Sequence, residues 1–296
     1  MLFDVLLLSA GILGLWLSAD RTVDGAEKVI GALGLPSFLF GAVFMSVSTG
    51  LPEIVTAVVS ALEGVPRLSA GDVIGSSFVN LTFVLGVSVF AARGLDLTDE
   101  DLGLVRDAGF LMVLVSAVLA VSGTVSFAVT GILLAVYGVF LYRMEHSSFE
   151  AAEPEEVSGR DLFVTLGGVG ALLISARLMV LGAKGLGTTL GVPIEVLGAT
   201  VVAVGTGLPE LAFELAAIRK GDTSLAVGDI FGSSLVNITL TLSVLGILSS
   251  PSVVSLLPVL VGVGVLGAFT VYLSRKGRFS MRDGVVLAVL FMGYLI

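Results

Sequence analysis

The chain has no cysteine and one histidine, and only 13% of its 296 residues are charged. Without cysteine there is no disulfide, no thiolate metal site and no cysteine nucleophile. The lone histidine, His146, cannot build a histidine metal centre or relay. A basic patch is missing as well. With a formal net charge of −9 and no cluster of Lys and Arg, the sequence lacks the electrostatic footprint of a nucleic-acid partner. Hydrophobic residues make up 56% of the chain, which leaves too little polar surface for a soluble domain of this size. The chain reads as an integral membrane protein embedded in lipid.

The apolar residues form long runs near 2–18 (tilting on to 33), 36–63, 69–92, 104–122, 125–144, 161–190, 193–218, 223–249, 252–274 and 280–296. A helix crossing a bilayer needs roughly 20 apolar residues. The runs therefore predict an all-α fold of about ten transmembrane helices. They lack the period-two alternation of a barrel strand. The first run carries Asp4 and no early Lys or Arg, so it reads as a first helix and not as a cleaved signal peptide.

One polar string occurs twice in this apolar background. Ser48-Thr49-Gly50-Leu51-Pro52-Glu53 matches Gly205-Thr206-Gly207-Leu208-Pro209-Glu210 at an offset of 157 positions. The same offset, without a gap, superimposes Gly71-Asp72 on Gly228-Asp229, Gly75-Ser76-Ser77 on Gly232-Ser233-Ser234, and Asn80 on Asn237. It also pairs Gly25-Ala26 with Gly182-Ala183 and Thr82 with Thr239. The period is too long for a solenoid, so the chain is read as duplicated membrane halves. The predicted units are a first five-helix repeat at 1–144, an acidic linker at 145–160 and a second repeat at 161–296. Glu145, Glu150, Glu153, Glu155 and Glu156 make the linker acidic, as a solvated loop or a weak calcium-attracting one.

With ten crossings, Arg93, Arg106, Arg143, Arg160, Arg219, Lys220, Arg275, Lys276, Arg278 and Arg282 fall on one side, against Arg67 on the other. Basic loops stay cytoplasmic. Both termini are thus expected outside and the linker inside, in a multi-pass protein of the cell membrane. Five crossings per half is odd, so the second repeat is inverted relative to the first.

Glu53 and Glu210 fall near the middle of their runs, where a bare carboxylate costs several kcal/mol or more and must face a cavity, a partner or an ion. Arg177 and Lys184 are possible partners, but the equivalent first-half positions are Asp20 and Glu27. Two equivalent acids without two equivalent bases call for a cation. Glycine and proline before each acid predict broken helices, whose freed carbonyls are tolerated in a membrane only where they line a cavity or bind something. Thr49 and Thr206 would add hydroxyl and carbonyl oxygens. Asp72, Ser76 and Asn80 recur at every fourth residue and form one stripe on a helix, repeated by Asp229, Ser233 and Asn237. The donors are all oxygens, a set suited to Ca²⁺ or Na⁺ and unsuited to soft metals. Ser77, Ser234, Thr82 and Thr239 fit helix-to-helix glue equally well. Asp72 and Asp229 also fit a role as helix caps.

These doubled motifs resemble the two alpha repeats of the sodium/calcium exchangers, within the calcium/cation antiporter superfamily. The resemblance covers nearly the whole chain. It implies Ca²⁺ held by Glu53 and Glu210 with the carbonyls of Thr49 and Thr206. It further implies Na⁺ sites built from Ser76, Ser233, the two threonine hydroxyls and the carbonyls of Ser46 and Ala203, with Asn80 and Asn237 completing the centre. Three departures stand out. Gly50 and Gly207 replace the family serine, removing a hydroxyl from each Na⁺ site. Asp72 and Asp229 replace the usual Asn, and Glu214, one turn beyond Glu210, has Ala57 as its first-half counterpart. These three acids are possible additional ligands or proton carriers.

The resulting expectation is a secondary antiporter that exchanges Ca²⁺ for Na⁺ by alternating access, with no cofactor and no enzymatic chemistry. Its partners are the transported ions and membrane lipid. The resemblance implies movement of the first and sixth helices, to which Gly25-Ala26 and Gly182-Ala183 would give smooth faces. The alternative is the same fold driven by H⁺, with Asp72, Asp229 and Glu214 as titratable groups. A channel would need a continuous pore, and a membrane enzyme a catalytic acid pair; neither explains duplication of the whole half.

Overall fold

The structure is a computed structural model that describes residues 1–32, 37–144 and 158–295, with side chains except at 19–32, 37–49, 100, 144 and 209. Helices dominate: α1 (Leu2–Ala32), α2 (Ser37–Leu62), α3 (Pro66–Ala91), α4 (Asp99–Ser122), α5 (Phe127–Met144) and α6 (Gly159–Leu190). They are followed by α7 (Ile194–Arg219), α8 (Thr223–Ser249), α9 (Leu257–Ser274) and α10 (Met281–Leu295). A two-residue antiparallel pair, β1 (Leu95–Asp96) with β2 (Arg278–Phe279), ties the chain after α3 to the chain before α10. Among the described residues, six helical spans are long and apolar enough to cross a membrane, and 2–18, 50–62 and 127–143 are shorter apolar helices. Most of the acidic linker, 145–157, lies outside the described residues.

Local chemistry sets the helix ends. Thr98 caps α4 and Ser158 caps α6 through reciprocal capping boxes with Asp101 and Asp161. α4 ends on Gly123 at φ 65 and α6 on Gly191 at φ 67, left-handed positions that favour glycine.

Packing is inside out relative to a soluble protein. Phe110, Val121, Phe163, Ile174 and Val265 point outward, whereas Glu53, Asp72, Asn80, Glu214 and Asn237 are buried. Only a lipid surround makes an apolar exterior around a polar centre favourable. The fold is that of an all-α integral membrane protein.

Glycines let helix backbones touch around that centre. A Cβ on Gly71 or Gly75 of α3 would overlap the backbone of Glu195 or Ala199 on α7, and one on Gly198 would overlap the Leu68 carbonyl. Small residues at such crossings are how membrane helices approach closely. α1 lies against α6 in the same way, with Gly11 at Met179 and Gly182 at Leu8. This pair also has its own apolar cluster, in which Leu8, Leu15, Leu172 and Met179 pack with Val55, Val59 and Leu68, apart from the main core.

Two features recur at equivalent positions of the halves. α3 widens into a π turn at Asn80–Val84, and α8 does so at Asn237–Thr241. Thr82 then bonds the Phe78 carbonyl at 2.6 Å, and Thr239 the Leu235 carbonyl at 2.5 Å. Such insertions cluster at functional sites in α-helices. The predicted helix breaks differ between the halves. The chain turns at Gly207, but α2 runs on with Pro52 inside it. Proline removes a single ladder bond, here to the carbonyl of Ser48, and the surrounding packing holds that helix together.

Candidate cation site

Glu53 lies on α2 directly after Pro52 and is fully buried; neither carboxylate oxygen has a hydrogen-bond donor among the described residues. Glu210 opens the part of α7 that follows the Gly207 turn, and its carboxylate lies close enough to Glu53 for the two charges to repel. One Glu210 oxygen also lacks a donor. Arg177 and Lys184 on α6 are engaged elsewhere. Arg177 pairs with Glu63 at 2.9 Å, and Lys184 donates to the Glu63 carbonyl at 3.4 Å. Two facing carboxylates in a low-dielectric interior repel strongly unless a cation or a proton lies between them.

Asp72 reaches the same centre from α3. Its Oδ1 accepts the Thr206 hydroxyl at 3.1 Å and the Ser76 hydroxyl at 3.4 Å, while its Oδ2 has no donor among the described residues. The two hydroxyls are themselves 3.4 Å apart. Asp72 is therefore not a helix cap; it lies in the second turn of a helix that starts at Pro66. On α8 the cap is Asp222, which accepts from the Leu225 N–H at 3.0 Å, so Asp229 does not serve that role either.

The asparagines open the π turns. Asn80 donates to Ser233 Oγ at 3.2 Å; among the described residues its own oxygen has no donor and Asn237 has no partner on either side-chain atom. Glu214 is fully buried on α7, close enough to Asp229 on α8 for the two charges to repel. Glu53, Glu210, Asp72, Thr206 and Ser76 thus come together, with Asn80 and Ser233 linked across α3 and α8. Ala203 is buried, but its carbonyl already accepts from the Gly207 N–H at 3.2 Å. The side chains of Ser46 and Thr49 lie outside those described.

Other polar groups at the centre carry no motif. Thr56 and Ser60, three and seven residues beyond Glu53, are fully buried, with hydroxyls that have no partner among the described residues, extending the acid into a stripe along α2. That spacing was readable in the sequence. Tyr294 of α10 was not: its hydroxyl donates to the Ala199 carbonyl, and its ring stacks on Phe78 at 4.5 Å.

Among the described residues no group of three or more His, Asp or Glu forms a metal cage. The centre is instead two facing carboxylates flanked by a third acid, hydroxyls and amides. Hard cations accept such oxygen sets, and a site that must release its ion needs no closed cage.

The family described as sodium/calcium exchanger protein matches residues 3–144 and 161–296. An uncharacterized membrane protein of Methanocaldococcus jannaschii is 30% identical over 233 residues, 77% of this chain and 76% of that protein. The sodium/calcium exchanger MaX1 of Methanosarcina acetivorans is 24% identical over 348 residues, 99% of this chain and 97% of that one. Among solved structures, the H⁺/Ca²⁺ exchanger CAX superimposes with a TM-score of 0.81 at 16% identity, covering 99% of this chain and 81% of CAX. With its doubled acidic motifs set in this fold, the chain belongs to the sodium/calcium exchanger family.

Proposed function

We propose that the chain is a secondary antiporter that exchanges Ca²⁺ for Na⁺ across the cytoplasmic membrane. The observation that carries this reading is the pair Glu53 and Glu210, a fully buried and a half-buried carboxylate brought together from equivalent motifs, with Arg177 and Lys184 engaged elsewhere. Empty, the pair is costly to enclose, because repulsion between like charges grows as water is excluded. Occupied by Ca²⁺ or by Na⁺, it is neutralised. The protein then changes its open side only when loaded, and obligatory exchange follows. Thr206, Ser76, Asn80, Ser233 and Asn237 supply neutral oxygens, with Thr49, Ser46 and Ala203 as further donors.

The architecture we propose is ten crossings in two inverted five-helix repeats, 1–144 and 161–296, with both termini outside and the linker 145–160 cytoplasmic. The two stretches matched by the family coincide with these halves, and the basic loops favour this orientation. The close backbone contacts of Gly11 with Met179 and of Gly182 with Leu8 hold α1 and α6 together and support their moving as a unit.

A second reading keeps the fold and replaces Na⁺ by H⁺. It is favoured by Gly50 and Gly207, which offer no hydroxyl where the exchanger motif has serine, and by the acids Asp72, Glu214 and Asp229 close to the pair. Uptake of ⁴⁵Ca²⁺ into proteoliposomes tests both. Uptake driven by an outward Na⁺ gradient and lost in Glu53→Gln is expected; uptake driven only by a proton gradient would assign H⁺ coupling. Transport retained in full by Glu53→Gln would refute both.

A further inference from the structure

We infer that Glu214 and Asp229 form a second, partly hydrated divalent-cation site, a station through which Ca²⁺ approaches Glu53 and Glu210 from the end of the molecule that carries the 220–222 loop. The inference rests on the reading of Glu53 and Glu210 as the transported-ion site.

Position comes first. Glu214 is one turn beyond Glu210, toward the end of α7 at Arg219, and Asp229 lies two turns into α8 from Thr223. The short 220–222 connection makes α7 and α8 antiparallel neighbours, so both acids sit between the loop and the central pair. Glu214 stands six residues before position 220 and Asp229 seven after position 222, so the two acids lie at similar heights on the packed helices.

Glu214 is fully buried, and neither of its oxygens has a donor among the described residues. An ionised carboxylate left so is unfavourable by several kcal/mol or more, and a second carboxylate facing it adds repulsion. A cation between the two removes both penalties. Asp229 keeps partial exposure, so water reaches this side of the site. Two carboxylates supply up to four oxygens, and water completes the six to eight that Ca²⁺ takes.

The first half has no such site. At the equivalent positions stand Ala57 and Asp72, and Asp72 is supplied with donors by Thr206 and Ser76. Chemistry at this station is therefore one-sided, although the central pair is shared by the halves.

The test is equilibrium binding of ⁴⁵Ca²⁺ to the purified full chain in detergent, at free Ca²⁺ that saturates the unsubstituted protein. Glu53→Gln is expected to keep one Ca²⁺ per chain, and Glu214→Gln on that background to abolish it. Asp229→Asn on the same background gives the same loss, and a monodisperse elution profile reports that each variant is folded. Two results overturn the site: no Ca²⁺ bound by Glu53→Gln alone, as when the two carboxyls share only a proton, or bound Ca²⁺ that survives Glu214→Gln. Failure of the underlying reading looks different, because Glu53→Gln would then still exchange Ca²⁺ in proteoliposomes.

Discussion

Ser77 directs its hydroxyl to the backbone carbonyl of Ser234 at 3.0 Å, sharing it with the Val73 carbonyl of its own helix at 3.1 Å, and Ser77 and Ser234 are 157 positions apart, the offset that relates the motifs. Equivalent positions of the two halves therefore touch where α3 crosses α8. The bond is not reciprocated. Ser234 turns its own hydroxyl to the Ile230 carbonyl at 2.7 Å, within its own helix. Ser77→Ala should cost about 0.5–1.5 kcal/mol of stability, the usual net value of one such bond, and Ser234→Ala less. Melting temperatures of the two variants in one detergent check the ranking; equal losses would remove the interhelix bond from the account.

Backbone contact at the α3–α7 crossing leaves no flexible neighbour to yield. A methyl on Gly198 meets the Leu68 carbonyl, and one on Gly71 meets the Glu195 carbonyl. Gly198→Ala and Gly71→Ala should each destabilise by about 1–3 kcal/mol or more, the cost of overpacking. Gly131→Ala on α5, with nothing near its Cβ, should be neutral or slightly stabilising. Thermal shift reads the contrast directly.

Much of this was legible before any coordinate. The apolar runs fall on helices, and the repeated hexapeptide placed Glu53 and Glu210 together because the same offset carries whole helices with it. What the sequence did not reveal depends on tertiary context. The string Gly-Leu-Pro-Glu produces a turn at Gly207 and an uninterrupted helix across Pro52, so local propensity alone does not decide the outcome. Asp72 bonding Thr206 across 134 positions, and Tyr294 reaching Ala199, leave no periodic trace. Asp72 and Asp229 also fit helix caps by sequence, because acids near a helix start suit a cap and an interior ligand equally well, but the caps stand at Val65 and Asp222.

Thr206 holds Asp72 in place. Its hydroxyl is the nearer of the two donors to Asp72 Oδ1, 3.1 Å against 3.4 Å for Ser76. Thr206→Val keeps the shape and removes the donor, leaving a buried carboxylate under-supplied. The apparent Ca²⁺ affinity should then fall about tenfold, which corresponds to roughly 1.4 kcal/mol, while Thr206→Ser remains close to the unsubstituted protein. Concentration dependence of ⁴⁵Ca²⁺ uptake measures the shift.

Restoring the absent hydroxyls asks which ion drives exchange, and the two glycines are not equivalent. A Cβ on Gly207 would have the Asn80 side-chain oxygen at 3.7 Å, so a serine hydroxyl there would face the centre; its tightest neighbour is the Ala203 carbonyl at 3.2 Å. A Cβ on Gly50 would lie 3.1 Å from a Val236 methyl, with Thr241 Oγ1 at 3.8 Å. Val236 is β-branched and confined to few rotamers, so it yields less readily. Gly207→Ser should therefore fold well and increase the Na⁺ dependence of Ca²⁺ uptake, because it adds an oxygen that Na⁺ can use. Gly50→Ser should lower the melting temperature first. Gly207→Ser with an unchanged Na⁺ dependence, in a protein that still exchanges, would mean that the hydroxyl at this position does not contribute to coupling and would turn attention to the acids Asp72, Glu214 and Asp229.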